Sequence, residues 1–266
     1  METKVQAAPA NVMFVLDNSG SMDWEFMPPQ SDGKFEGEFY LYPDSAFINS
    51  YQDRAYNSDY ILNSTERRMW KGQWAGYNKL FFDANAIYSP WPKMNDADTS
   101  TPWSNPYNTN SSSSKFNMEG EYYALTAGSG GTVSVKNAHY FVIDDTDSDG
   151  VQDTGEDVYL VNFVAGVRAY YLFTDHDNDN TMDNGELYLK TGAAIPNGVK
   201  ASRYDEDDTF LSYVTDAQDL QNFANWFSFY RKRELTAKAA VAGAIYNLDW
   251  VYVGFYSING SVAKNY

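Results

Sequence analysis

Apolar residues fall into short runs separated by polar turns, and this pattern predicts strands along much of the chain. Residues 12–16, Val-Met-Phe-Val-Leu, form a continuous apolar run of the kind that parallel sheets bury on both faces. From residue 116 onwards, apolar and polar residues alternate, which indicates an antiparallel β-rich region. The predicted strands of that region are residues 122–127, 132–135, 139–143, 158–164, 168–173 and 186–189.

The periodicity becomes helical after residue 214. Thr215-Asp-Ala-Gln218 matches a capping box, in which Thr215 caps the helix and Gln218 bonds back to it. Apolar residues then recur at helical spacing into the Ala-rich stretch 239–244, so the pattern predicts one long amphipathic helix. They include Leu220, Phe223, Phe227, Tyr230 and Leu235. After a turn at 247–249, the apolar run 250–257 predicts another strand.

These elements indicate an α/β domain that is interrupted by an insertion. Residues 1–22 supply its first strand and a loop, and residues 215–266 supply its first long helix and second strand. Residues 23–214 form a large β-rich insertion. Within that insertion, the Ser- and Asn-rich tract 104–114 predicts an exposed loop.

Asp17-Asn-Ser19-Gly-Ser21 follows the first predicted strand and forms a candidate Mg²⁺ site. Open α/β sheets place their ligands at the carboxyl ends of strands. Alternating positions can direct one carboxylate and two hydroxyls onto one hard cation. Because the hydroxyls are neutral, the ion keeps positive charge for an acidic group of a partner. The motif resembles the metal-ion-dependent adhesion site of a von Willebrand factor A domain.

Residues 145–156 match a twelve-residue calcium loop of the EF-hand type. Acidic residues occupy loop positions 1, 3, 5, 9 and 12, and Gly150 stands at position 6, where such a loop turns sharply. The predicted ligands are Asp145, Asp147, Asp149, the carbonyl of Val151, Asp153 and Glu156.

Residues 175–186 repeat this pattern, with Asn180 in place of Gly at position 6. Asn tolerates the left-handed conformation better than most residues do. The flanks of both loops predict strands, whereas helices bracket a calcium sensor, so each ion is expected to hold a β-hairpin together. The sequence thus predicts two structural Ca²⁺ ions. The predicted ligands of the second are Asp175, Asp177, Asp179, Thr181, Asp183 and Glu186.

Charge and composition narrow the classes of function. The net charge is −17, from 36 acidic and 19 basic residues, which argues against nucleic acid as a partner. The 22 Tyr, 16 Phe and 7 Trp suit a β-rich extracellular or surface protein. Without Cys, the chain has no disulfide and no thiol chemistry.

The sequence predicts neither a membrane span nor an enzyme. No run approaches the ~20 apolar residues of a transmembrane helix. The first ten residues lack an apolar signal core, so either a leader has been removed or the protein is cytosolic, and the composition favours the first. His139 and His176 form no catalytic set, no nucleophile elbow occurs, and no carboxylate pair is isolated in an apolar pocket.

The chain resembles the N-terminal part of the type IV pilus tip-associated adhesins, the PilC/PilY family. The resemblance is carried by residues 9–22, 77–91 and 220–240 and by the calcium-rich strand-loop-strand passage between them. It implies a pilus-associated protein at the cell surface that supports pilus assembly and adhesion, and whose Asp17 loop engages an acidic host or surface ligand.

Two features of that family are expected to lie beyond Tyr266. One is a large C-terminal β-propeller, and the other is the Thr and Asp from later loops that complete the metal site of an A domain. The predicted fold is therefore a von Willebrand factor A-like domain that is incomplete at its C-terminus. Either pilus subunits or the C-terminal part of the same adhesin complete it, or the chain is a truncated piece. The alternative function is a structural subunit of an extracellular filament completed by strand exchange.

Overall fold

The computed structural model describes a subset of the 266 residues. The described residues are 10–17, 19, 22, 27, 70–92, 94–96, 139–147, 149–164, 166–178, 186–248, 251–258 and 264–265. The predicted strands 122–127 and 132–135 and the predicted loop 104–114 lie outside these ranges.

A four-stranded antiparallel sheet forms the centre of the described structure, in the order β2-β3-β4-β5. The sequence predicted each of these strands to within one residue at either end, because apolar and polar positions alternate along them. The strands are β2 (His139–Ile143), β3 (Val158–Val164), β4 (Val167–Phe173) and β5 (Leu187–Lys190).

Both faces of β2 and β3 are covered by apolar side chains. On one face, Tyr140, Val161 and Phe163 belong to the larger buried cluster, together with residues of the helix that follows. On the other face, Phe141 and Leu160 pack with Trp70, which begins a short 3-10 helix at Trp70–Gln73. Burial of each large apolar side chain contributes roughly 1.5–3 kcal/mol to folding, so this sheet is the stable core of the molecule.

Two helices follow the sheet: α1 (Asp216–Phe229) and α2 (Arg233–Tyr246). The capping box is confirmed, since the Gln218 backbone N–H donates to the Thr215 hydroxyl and the Gln218 side chain bonds back to the backbone of Thr215. The prediction of one long helix is wrong, because the helical segment ends at Phe229 and begins again at Arg233.

The break between the helices is stabilised by side chains that replace the lost helical hydrogen bonds. Arg231 is buried, and its guanidinium donates to the Phe227 carbonyl at 2.8 Å while lying 4.1 Å from the centre of the Phe227 ring. The Thr236 hydroxyl donates to the Tyr230 carbonyl at 2.7 Å. These contacts satisfy carbonyls that a continuous helix would have paired.

Helix α1 packs on the four-stranded sheet and not on the first predicted strand. Phe223 and Trp226 pack edge-on against Phe82 and Phe81, within the cluster that also holds Tyr140 and Val161. The sequence boundary at 214/215 placed this helix in the α/β domain. In the structure its apolar side packs on the four-stranded sheet, and the division of the chain into domains stays a prediction.

Residues 77–91 contain no regular strand or long helix, and hydrogen bonds from α1 hold them in place. Trp226 donates its indole N–H to the Leu80 carbonyl at 2.9 Å. Asn222 donates to the Ala86 carbonyl and accepts from the Tyr88 N–H, both at 2.7 Å. Two of the passages that carry the family resemblance, 77–91 and 220–233, therefore pack directly on each other.

A second sheet contains β1 (Ala10–Leu16), β8 (Val251–Ser257) and β9 (Lys264–Asn265), in the order β1-β8-β9. β1 and β8 pair in parallel from Ala10 with Val251 to Leu16 with Ser257, which confirms both predicted strands. The expected burial of β1 on both faces is wrong. Met13 and Val15 point to the same face of the sheet and are each 59% exposed, because no described element covers that face.

The sequence did not predict a small hairpin formed by β6 (Ser202–Tyr204) and β7 (Phe210–Tyr213). Its strands are short, and two further 3-10 turns precede it at Gly192–Ala194 and Asn197–Val199. Among the described residues, no helix has the length and apolar character that crossing a membrane requires.

A buried carboxylate joins α1 to the sheet. Asp219 is fully buried, and its Oδ2 accepts from the Tyr140 hydroxyl at 2.9 Å and from Arg168 at 3.2 Å. Arg168 also donates to Asp216 at 2.7 Å. Burial raises the pKa of Asp219 to about 6, against the lowering effects of the Arg168 charge and the Tyr140 hydroxyl.

Asp219 is expected to make stability depend on pH. Because its pKa is raised on folding, the protonated form favours the folded state, and this contribution is present near pH 4 and lost as pH rises through about 6. The quantity to compare is the free energy of unfolding of the wild type and of Asp219→Asn. The difference between them, wild type minus variant, should decrease by up to about 3 kcal/mol from pH 4 to pH 7. Urea unfolding at several pH values measures this difference. A difference that does not change with pH would contradict the prediction.

Candidate metal centres

The two acidic loops lie side by side at one end of the four-stranded sheet. The first loop connects β2 to β3, and the second connects β4 to β5. Val158, which follows the first loop, pairs with Phe173, which precedes the second. The β3–β4 connection lies at the opposite end, where Gly166 adopts a φ of +82°.

The first loop brings five of its six predicted ligand residues into two overlapping clusters of carboxylates. Asp145, Asp147 and Glu156 have carboxylate oxygens within 4.8 Å of one another. Asp147 also forms such a cluster with Asp149 and Asp153. A single loop therefore concentrates oxygen ligands of the type that Ca²⁺ prefers.

Backbone N–H groups fix the orientation of these carboxylates. Asp145 accepts from the N–H of Asp149 at 3.2 Å and from that of Gly150 at 2.9 Å. Glu156, the last loop position, accepts from the N–H of Thr146 at 2.7 Å and of Asp153 at 3.0 Å. Gly150 has a φ of +75°, as the glycine at position 6 was expected to require.

Val151 was predicted to contribute its carbonyl oxygen. Its N–H donates to Asp149 at 2.7 Å, and its side chain is exposed. Coordination by its carbonyl stays a prediction.

Neighbouring charges raise the pKa of two carboxyls at this loop. Burial, followed by the charges of Asp157 and Glu156, raises the pKa of Asp144. At Asp147, the Asp149 N–H lowers the pKa, but desolvation and the charges of Asp149 and Glu156 outweigh it, so the pKa is raised. Burial and the charges of neighbouring carboxylates thus both contribute to the raised pKa of these two groups.

The second loop reproduces this arrangement with Asp175, Asp177 and Glu186, whose carboxylate oxygens also lie within 4.8 Å of one another. Glu186 is buried and accepts from the His176 N–H at 2.9 Å, as Glu156 does from Thr146. The predicted ligands Asp179, Thr181 and Asp183, and Asn180 at position 6, lie outside the described residues.

Thr146 and His176 are functional positions that the sequence analysis missed. Each follows the first aspartate of its loop and orients the last glutamate through its backbone N–H. Because every residue except proline has a backbone N–H, many residue types can donate at these positions. The sequence therefore does not reveal this role.

The donor set of both loops fits Ca²⁺. All the clustered groups are carboxylates, and hard cations of this kind take several oxygen ligands from flexible loops. When bound, the ion would supply positive charge that neutralises these carboxylates. Asp145, Asp147, Asp149, Asp153 and Glu156 would hold it in the first loop, and Asp175, Asp177 and Glu186 among the described residues of the second.

The third candidate site lies at the carboxyl end of β1. Asp17 is exposed, and its carboxylate accepts from the Ser19 N–H at 2.8 Å. This bond, with a further one from the Ser19 side chain, lowers the pKa of Asp17, which keeps the carboxylate ionised. Ser21, the third predicted ligand, lies outside the described residues. The structure thus brings Asp17 and Ser19 together, as a shared cation would require.

Comparison with protein-family models, with curated proteins and with solved structures finds no match to this chain. Functional assignment therefore depends on the residues themselves.

Calcium is expected to raise the thermal unfolding midpoint well above that in EDTA, with magnesium giving a smaller rise. Each occupied loop should add about 2.7 kcal/mol when calcium is present at a hundredfold its Kd. Asp145→Ala and Asp175→Ala should each remove part of the rise, because each deletes the first ligand of one loop. Asp207→Asn is the matched control, since it removes a carboxylate outside both loops. Equal midpoints in EDTA and calcium would contradict the prediction.

Proposed function

We propose that the chain is part of a cell-surface adhesin and assembly factor at the tip of type IV pili. It acts by binding, without catalysis, through Asp17, Ser19 and Ser21, which hold Mg²⁺. The observation that carries the proposal is the parallel pairing of β1 with β8 across all seven residues of each strand. This pairing supports an α/β domain whose metal loop lies at the carboxyl end of a strand.

The position of the Asp17 loop suits recognition of an acidic group. Asp17 is exposed, and the Ile258 N–H donates to the Leu16 carbonyl at 3.0 Å, so β8 extends beside the start of the loop. A cation held by one carboxylate and two hydroxyls keeps net positive charge. A carboxylate from a host or surface ligand would complete its coordination.

The two acidic loops serve stability in this proposal. They lie on the four-stranded sheet, which is separate from the sheet of β1 and β8. Calcium there would hold the β2–β3 and β4–β5 hairpins closed and leave ligand binding to the Asp17 loop. The millimolar calcium outside cells would fill such sites, which supports an extracellular location.

A partner chain is proposed to complete the domain. β1 and β8 expose Met13, Val15, Tyr252 and Tyr256 on one face, with exposed fractions of 50–64%. Pilus subunits, or the C-terminal part of the same adhesin, would cover such a face and supply the remaining metal ligands.

The edge position of β1 among the described strands favours the second candidate, a filament subunit that polymerises by strand exchange. The two candidates differ in self-association. Ordered fibres formed by the purified chain alone would support the filament subunit, and a stable monomer that requires a partner would support the tip adhesin.

Asp17→Asn should weaken magnesium-dependent binding to a surface that bears carboxylate groups by more than about tenfold in affinity. The physical reason is that Asn removes the only charged ligand of the Asp17 loop. Surface plasmon resonance in calcium buffer, with and without magnesium, measures this affinity.

Asp207→Asn, which removes an exposed carboxylate from another turn, is the control and should bind as the wild type does. Binding that is unaffected by Asp17→Asn, or that needs no magnesium, would contradict the proposed site.

A further inference from the structure

The β6–β7 hairpin carries a row of half-exposed aromatic rings that the proposed adhesion site does not use. Tyr204, Phe210 and Tyr213 are 54%, 47% and 43% exposed. The Tyr204 and Phe210 ring centres lie 6.0 Å apart, and those of Phe210 and Tyr213 lie 4.9 Å apart. These rings form one continuous surface, which we name the aromatic row.

The rings of the aromatic row are steeply inclined to one another. The interplanar angles are 75° between Tyr204 and Phe210 and 60° between Phe210 and Tyr213. Both pairs meet edge to face, as aromatic side chains in contact commonly do. Half-exposed aromatic rings can also bind a cation through their π faces.

One cation of the chain already uses this surface. The Lys200 ammonium lies 5.3 Å from the centre of the Tyr213 ring, within the range of a cation–π interaction. It shows that the row accepts a basic side chain at one end.

The other end of the row adjoins an acidic turn. Residues 205–208, Asp-Glu-Asp-Asp, connect β6 to β7, and all four are exposed. Asp205 accepts from the N–H groups of Thr209 at 2.9 Å and Asp207 at 3.0 Å. The Thr209 N–H lowers the pKa of Asp205, so this carboxylate stays ionised at neutral pH.

We propose that the aromatic row and its acidic turn bind a basic polypeptide segment that carries alternating Arg or Lys side chains. Guanidinium or ammonium groups lie against the rings, and the turn carboxylates pair with the next basic residue. An extended segment places alternate side chains on one face about 7 Å apart, somewhat more than the 6.0 Å and 4.9 Å between neighbouring ring centres of the row. The net charge of −17 attracts such a partner and repels acidic ones.

The probe is a synthetic peptide, Arg-Thr-Arg-Thr-Arg, and the matched control peptide has Glu in place of Arg. Titration in calcium buffer, followed by NMR or calorimetry, gives the Kd of the full chain for each. The Arg peptide should bind with an affinity that falls as salt rises, and the Glu peptide should not bind.

Phe210→Leu separates the cation–π interaction from simple packing, because Leu keeps an apolar side chain but has no π face. It should weaken binding of the Arg peptide about threefold to fivefold. Leu211→Ala is the matched control, since Leu211 is also exposed on the same strand, at 59% against 47% for Phe210, but is outside the row. It should leave the Kd unchanged.

The double variant Glu206→Gln, Asp207→Asn removes two negative charges from the turn. It should weaken binding of the Arg peptide about threefold or more and should reduce the dependence of this binding on salt. The proposal is overturned if Phe210→Leu binds the Arg peptide with wild-type affinity. It is also overturned if Leu211→Ala loses as much affinity for the Arg peptide as Phe210→Leu does. Binding of neutral oligosaccharides in preference to the Arg peptide also overturns it. These variants leave the Asp17 loop intact, so the test is independent of the adhesion site.

Discussion

Electrostatic repulsion at one end of the four-stranded sheet is the constraint on which the rest of the structure depends. Two loops place clustered carboxylates beside each other, because the register of β3 and β4 brings Val158 next to Phe173. Backbone N–H groups orient these carboxylates but leave the pKa of Asp144 and Asp147 raised. A cation in each loop would remove this repulsion and hold the two hairpins closed. These hairpins form the surface on which α1 packs.

Helix α1 packs on this sheet and connects it to residues 77–91. Its aromatic side chains enter the main core, and its Asn and Trp side chains bind the backbone of residues 77–91. Asp219 and Arg168 join the start of the helix to the sheet. The sheet of β1 and β8 lies outside both buried clusters of the described residues. In the proposed function, stability therefore depends on the four-stranded sheet and recognition depends on the Asp17 loop.

The sequence predicted those features that depend on residues close together along the chain. Alternation predicted β2 to β5, and the capping box and loop spacings predicted the start of α1 and the carboxylate clusters. Long-range packing was not predictable in this way. The helix break depends on Arg231 turning into the core, and residues 77–91 depend on bonds from α1. The exposure of Met13 depends on what covers its face of the sheet. None of these leaves a periodic signal near the residues concerned.

The most direct test is the number of calcium ions that one chain binds, measured by equilibrium dialysis at neutral pH and physiological salt. The structure supports two similar loops, so the account predicts two ions per chain. Glu156→Gln and Glu186→Gln should each bind one, because each change weakens the last ligand position of a single loop. Absence of bound calcium in the wild type, or retention of both ions in these variants, would contradict the account.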